Sequence, residues 1–86
     1  MKHYTHINSG TCSSKVDFDI DENGKLHNVK FTNGCAGNLL AISKLVEGKD
    51  AREVMEILKG NKCGDRPTSC ADQFSLGIEA ALGSRN

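Results

Sequence analysis

Val16, Phe18 and Ile20 alternate with Asp17 and Asp19, the period of two that a half-buried β-strand imposes on its side chains. Asp21-Glu22-Asn23-Gly24 then supplies a turn, with Asn23-Gly24 favouring a tight hairpin. Leu26 to Thr32 reads as the return strand, with His27, Val29 and Phe31 on one face. Lys2 to Ile7 alternates more weakly and is expected to add a third, edge strand.

Past Gly34 the period changes to that of helices. The run NLLAISKLVEG places Leu39, Ile42 and Val46 on one helical face, and Gly48 ends it. Asp50 and Glu53 form a capping-box-like pair opening a second helix, whose apolar face is Val54, Ile57 and Leu58 and whose stop is Gly60. A loop, NKCGDRP, leads to Thr68-Ser69, either of which can cap a last helix bearing Phe74, Ile78, Ala81 and Leu82. Strands first and helices after predict an α+β fold. In it, a small antiparallel sheet of two to three strands is followed by three helices packed on one face.

At 86 residues the chain is expected to be one domain, residues 1–86, with a thin core. A chain of this length buries a little over about 60% of its unfolded surface. Phe18, Phe31, Phe74 and Tyr4 are its only aromatic residues. Such domains often lean on a disulfide, a metal or a partner chain. The formal charge is zero with the two signs interspersed, which argues against a nucleic-acid partner. The first ten residues hold no apolar signal region, and no apolar run reaches the roughly 18 residues a bilayer span needs. The expectation is a cytoplasmic protein in a reducing compartment, with no membrane partner, where cysteines bind metal or do chemistry more often than they form stable disulfides.

That changes the weight of the four cysteines. Cys12, Cys35, Cys63 and Cys70 all fall in turns or at helix starts beside Gly, Ser or Thr, and none lies on an apolar stripe. An antiparallel hairpin brings its open ends together, so Cys12 and Cys35 should be neighbours despite the 22 residues between them. Cys35 and Cys70 open helices, whose free N–H groups stabilise a thiolate. Four such thiolates suit a tetrahedral site for zinc, or alternatively an iron–sulfur cluster. The spacing is of middling specificity, because there is no C-x2-C pair and the closest two are separated as C-x6-C. Free or buried thiols, Cys63 first among them, and a Cys12–Cys35 disulfide remain the alternatives.

Other candidates fit plainer roles. His3 and His6 sit near a terminus expected to fray and His27 is mid-strand, so all three read as surface or packing residues before ligands. Asp65 and Asp72 lie close to cysteines, and Asp72 suits the first turn of the last helix. Asp17 and Asp19 read as a solvated strand face, and Asn38 as a capping residue. No Ser–His–Asp order, phosphate loop or acidic pair stands out, so independent enzyme activity is not expected.

The segments GCAGNLLAISKLVEGKD and CGDRPTSCADQF resemble the TSCPD domain family, and the likeness runs from Gly10 to Leu82. Cys12, Cys35, Cys63 and Cys70 match that family's recurrent cysteines one by one, and Ala71 stands where its motif has proline. The domain also occurs at the C-terminus of some ribonucleotide reductases, which implies an accessory role in ribonucleotide reduction as one alternative. A more distant resemblance is to the U-type iron–sulfur cluster scaffold proteins, whose three cysteines match Cys12, Cys35 and Cys70. Those scaffolds carry Asp where this chain has Ser14 and His where it has Ser69, and they have no counterpart of Cys63. The combined expectation is a small metal-binding module with a four-cysteine site, zinc before an iron–sulfur cluster, acting through a protein partner. A cluster or sulfur carrier is the second alternative, and closure of the sheet by a second copy, as a homodimer, is open.

Overall fold

The computed structural model describes residues 1–11, 13–34, 36–61 and 68–84. Three strands, β1 (Lys2–Ile7), β2 (Lys15–Ile20) and β3 (Leu26–Thr32), precede three helices, α1 (Ala36–Val46), α2 (Ala51–Leu58) and α3 (Cys70–Ser84). The strands form one antiparallel sheet in the order β1-β2-β3. This is the α+β architecture that the order of periodicities implies.

The alternation in β2 does what it predicts. Val16, Phe18 and Ile20 are fully buried on one face, while Asp17 and Asp19 stay on the other. Edge strand β1 is well formed, pairing Tyr4 with Phe18 and His6 with Val16. The four aromatic residues meet in a continuous chain: Tyr4 stacks on Phe18, and Phe74 of α3 sits edge-on to both Phe18 and Phe31. Phe74 and Ile78 are completely buried, so α3 is the helix that roofs the sheet. Helix α1 packs on β3 and α2 packs on α3.

Two expectations about the hairpin change. Asn23-Gly24 does not form a two-residue loop. Asp21 accepts from Gly24 N at 3.0 Å and Lys25 O accepts from Asp21 N at 3.0 Å, so Gly24, at φ +79°, closes a three-residue loop. The Asp21 carboxylate further accepts from the backbone N–H groups of Asn23 and Lys25, fixing that geometry. In addition, His27 does not share a face with Val29 and Phe31. Asn28 stands at φ +54°, and the pairing slips between Asp17↔Lys30 and Asp19↔His27. Two residues of β3 oppose one of β2, a β-bulge, so Leu26 points inward with Val29 while His27 is displaced to the rim. Strict alternation cannot anticipate an inserted residue.

Helix α2 also departs in detail. Asp50 is its N-cap, with the carboxylate accepting from Glu53 N at 3.0 Å, as the capping pattern implies. Its inward residues are Ala51 and Val54, with Leu58 partly buried, whereas Ile57 is 70% exposed. Ile57 and Leu45, 72% exposed, line a cavity of about 350 Å³ between α1 and α2 that also takes in Ile42 and Val54. Among the described residues, no helix is long and apolar enough to cross a membrane.

Candidate functional site

The end of the sheet away from the hairpin turn gathers Ser13, Thr68, Ser69 and Gln73, buried polar side chains among the described residues. Ser14 N donates to Thr32 O at 2.8 Å and Asn8 N donates to Ser14 O at 3.0 Å, so the three strands' backbones remain in register just beyond β2. Asn33 Nδ2 reaches Ser14 Oγ at 3.0 Å. Asn33 and Gly34 both adopt positive φ, at +65° and +93°, turning the chain from β3 towards α1. Asn and Gly are the residues that occupy this region at least cost.

Ser13 is the centre of this end. It is 2% exposed, and its hydroxyl donates to Cys70 Sγ at 2.9 Å while accepting from Asn8 Nδ2 at 2.8 Å. Thr11 Oγ1 donates to Ser13 O at 2.8 Å, closing the turn that carries it. Period-two extrapolation back from Val16 would place Ser14, not Ser13, inward. Ser14 is exposed, because the chain bends before β2 begins.

Cys70 is the first residue of α3 and is half-buried. Its helix start is built by its neighbours. Ser69 is the N-cap, with Oγ accepting from Asp72 N at 3.0 Å, and the same hydroxyl donates to Asn61 O. That contact ties the end of the α2 segment to the beginning of α3. Asp72 accepts from Gly60 N at 2.7 Å and from Thr68 Oγ1 at 2.5 Å, an acidic residue in the first turn as expected. Gln73 Oε1 accepts from His6 Nε2 at 3.0 Å and Ser9 N at 3.3 Å, which ties α3 to the end of β1. His6 is therefore part-buried under α3 rather than frayed. A Cβ at Gly77 would lie 2.7 Å from His6 Cβ, so the absence of a side chain there is what lets α3 approach β1.

Of the four cysteines the structure places Cys70. Cys12, Cys35 and Cys63 lie outside the described residues, as does Asp65. The described residues on either side of them do converge. Thr11 and Ser13 are bound through Ser13 to Cys70, Ser14 is bound to Thr32 and Asn33, and Asn61 is bound to Ser69. Among the described residues there is no group of three or more His, Cys, Asp or Glu side chains that could hold a metal ion. Asn38 is an exposed residue of α1.

The remaining histidines serve a different end and face. His3 lies on the solvent side of the sheet with its ring nitrogens 2.7 Å from Asp19 and 3.3 Å from Asp17. His27, displaced by the bulge, lies between Asp21 at 2.7 Å and Glu47 at 2.6 Å. Asp21 and then Glu47 raise the pKa of His27, just as Asp19 raises that of His3. Asp21 is itself pushed down to about 2, first by the Lys25 N–H and then by His27. These are solvated ion pairs.

Asn8 and Ser13 are the site residues that sequence reasoning does not single out; the one signal for Ser13 is its adjacency to Cys12. The positions at which U-type scaffolds carry Asp and His hold Ser14 and Ser69, and here both serve structure: one extends the strand pairing, the other caps α3. Ala71, in place of the motif proline, is buried in the first turn of α3, where a missing N–H would cost no intrahelical bond.

No curated protein and no solved structure matches the chain at a meaningful level. The sequence pattern of the TSCPD domain matches residues 1–82. That match takes in all three strands, nearly all of α3 and the Thr68-Ser69-Cys70 step on which the polar end of the sheet is assembled; the chain belongs to the TSCPD domain family.

Proposed function

We propose that this TSCPD domain is a small metal-binding module in which Cys12, Cys35, Cys63 and Cys70 hold one zinc ion, and that it acts in an accessory role through a protein partner. The observation that carries the reading is the Ser13–Cys70 hydrogen bond, which joins the residue after position 12 to the start of α3. Ser14 with Thr32 and Asn33, and Asn61 with Ser69, bring the other cysteine-bearing segments' described neighbours to the same end of the sheet. The donor chemistry fits: a closed set of four thiolates is a common structural zinc environment. Bound zinc supplies a tetrahedral cross-link between chain segments distant in sequence. Cys70 would present its sulfur from the first turn of α3, where helix N–H groups favour negative charge. Exposed Leu45 and Ile57 beside the α1–α2 cavity support a role in partner binding, since large apolar side chains clustered at the surface mark contact sites.

The test is metal content with an absorption spectrum, on protein purified anaerobically without a metal-affinity tag. One zinc per chain, lost on Cys35→Ser or Cys70→Ser substitution and kept in His6→Ala, is the expected result. Iron with sulfide and visible absorption would replace zinc by an iron–sulfur cluster. Absence of any metal in all preparations would overturn the reading.

A further inference from the structure

We infer that Ser13, held by Asn8, is a positioning residue for the metal site: its hydroxyl donates to the Cys70 sulfur and sets how strongly that sulfur binds. The inference rests on the proposed metal-binding reading and concerns two residues outside the four cysteines.

The direction of the hydrogen bonds follows from the groups present. An amide Nδ2 can only donate, so the 2.8 Å contact from Asn8 occupies an acceptor site on Ser13 Oγ. The single hydroxyl proton of Ser13 then points to Cys70 Sγ at 2.9 Å, a short contact for a sulfur acceptor. Ser13 is 2% exposed, so water does not compete for that proton. A shielded, pre-aimed donor is worth more than the same donor in water.

The turn holds Ser13 independently of Cys70. Thr11 Oγ1 donates to the Ser13 carbonyl, Asn8 N pairs with Ser14 O, and Ser14 N pairs with Thr32 O. Two backbone pairs and the Thr11 hydroxyl hold the Ser13 main chain, and Asn8 Nδ2 holds its hydroxyl, so the donor does not depend on a metal at the sulfur for its position. A hydroxyl donating to a ligating thiolate stabilises its negative charge and fixes its lone-pair direction, organising the ligand for the metal, while drawing some electron density from the sulfur. Partners of this kind typically change metal affinity 10–100-fold when removed.

The experiment uses cobalt(II) as the probe, titrated anaerobically into the metal-free full chain, with affinity and the sulfur-to-cobalt charge-transfer band as readouts. The wild type is expected to give a tetrahedral thiolate spectrum. Ser13→Ala should bind about 10–100-fold more weakly, with the charge-transfer band at lower energy, since the sulfur regains electron density. Ser13→Thr, which keeps the hydroxyl, should restore the band position. Asn8→Ala should shift it in the same direction as Ser13→Ala, by less, and keeps the test open if Ser13→Ala does not fold. A loss of folding alone would not move the band energy of the bound fraction. Wild-type cobalt binding with an unchanged band in both Ser13→Ala and Asn8→Ala would overturn this inference alone. No cobalt binding by the wild type would overturn the metal-binding reading, and this inference with it.

Discussion

The two ends of β2 are held by opposite chemistry. At the turn end, the backbone closes on itself: Leu26 N donates to Lys49 O, Gly48 N to Leu26 O and Ala51 N to Gly24 O, so the α1–α2 connection is bound to the hairpin. Exposed charges decorate that frame, with His27 between Asp21 and Glu47. At the other end, side-chain hydrogen bonds add to the backbone pairs: Asn8 Nδ2 donates to Ser13 Oγ, Ser13 Oγ to Cys70 Sγ and Ser69 Oγ to Asn61 O. There the buried Ser13 hydroxyl donates to a sulfur, the feature on which the proposed metal site rests. In a small domain with one aromatic cluster, the zinc proposed at that end would add a cross-link to a thin core.

The sharpest way to test that contrast is to chelate the zinc proposed at one end. Chelation should lower stability on the order of 10 kcal/mol in the favourable limit for a structural zinc site. Hydrogen exchange should then accelerate first at residues 8–14, 32–34 and 68–73, with residues 24–26 and 48–51 following. Equal acceleration at both ends would break the distinction.

Next in size is Gly77→Ala. The new Cβ would lie 2.7 Å from His6 Cβ, an atom anchored close to the backbone of β1. The clash falls in the upper part of the about 1–3 kcal/mol range for overpacking. It exceeds the roughly 1 kcal/mol that alanine gains over glycine in a helix. Urea denaturation should show a net loss of about 1–2 kcal/mol, accompanied by weaker metal binding, since α3 carries Cys70.

At the turn end, Asp50→Ala removes the cap on α2 and should cost about 1 kcal/mol. Metal affinity should not change, which distinguishes this variant from Gly77→Ala in the same assay.

The smallest effect is that of pH. His27 and His3 have pKa values raised above the ordinary 6.5, so the stability they contribute is fully present below 6.5 and is lost as pH rises through their higher folded values. Asp21 is lowered from 3.8 to about 2, so its contribution is present above 3.8 and is lost as pH falls towards 2. Metal-free protein should therefore show a shallow decline in melting temperature above neutrality. His27→Gln should flatten it. Both ion pairs are solvated, and the effect should shrink further in salt.

Much of the frame follows from local pattern. Val16, Phe18 and Ile20 declare β2, Asp50 with Glu53 declares the start of α2, and Phe74 with Ile78 declares the buried stripe of α3. Each of these is a periodicity or a cap, which a chain expresses over a few residues. The misplaced details were those in which one residue breaks a period. Asn28 inserts a bulge that moves His27 to the rim, and α2 turns Ala51 and Val54 inward while Ile57 stays exposed. His6 is part-buried under α3 because Gly77, distant in sequence, leaves room for it.

The sequence by itself determined the α+β class, the family and the four thiol-bearing positions, because residue type and local spacing carry that information. What only the tertiary structure decided is which polar side chains meet at one end of the sheet. Ser13, Asn8 and Cys70 are separated by up to 62 residues, and no local preference turns Ser13 inward in place of Ser14. Their meeting depends on the bend before β2 and on how closely α3 can settle over β1, and both are set by packing across the whole domain.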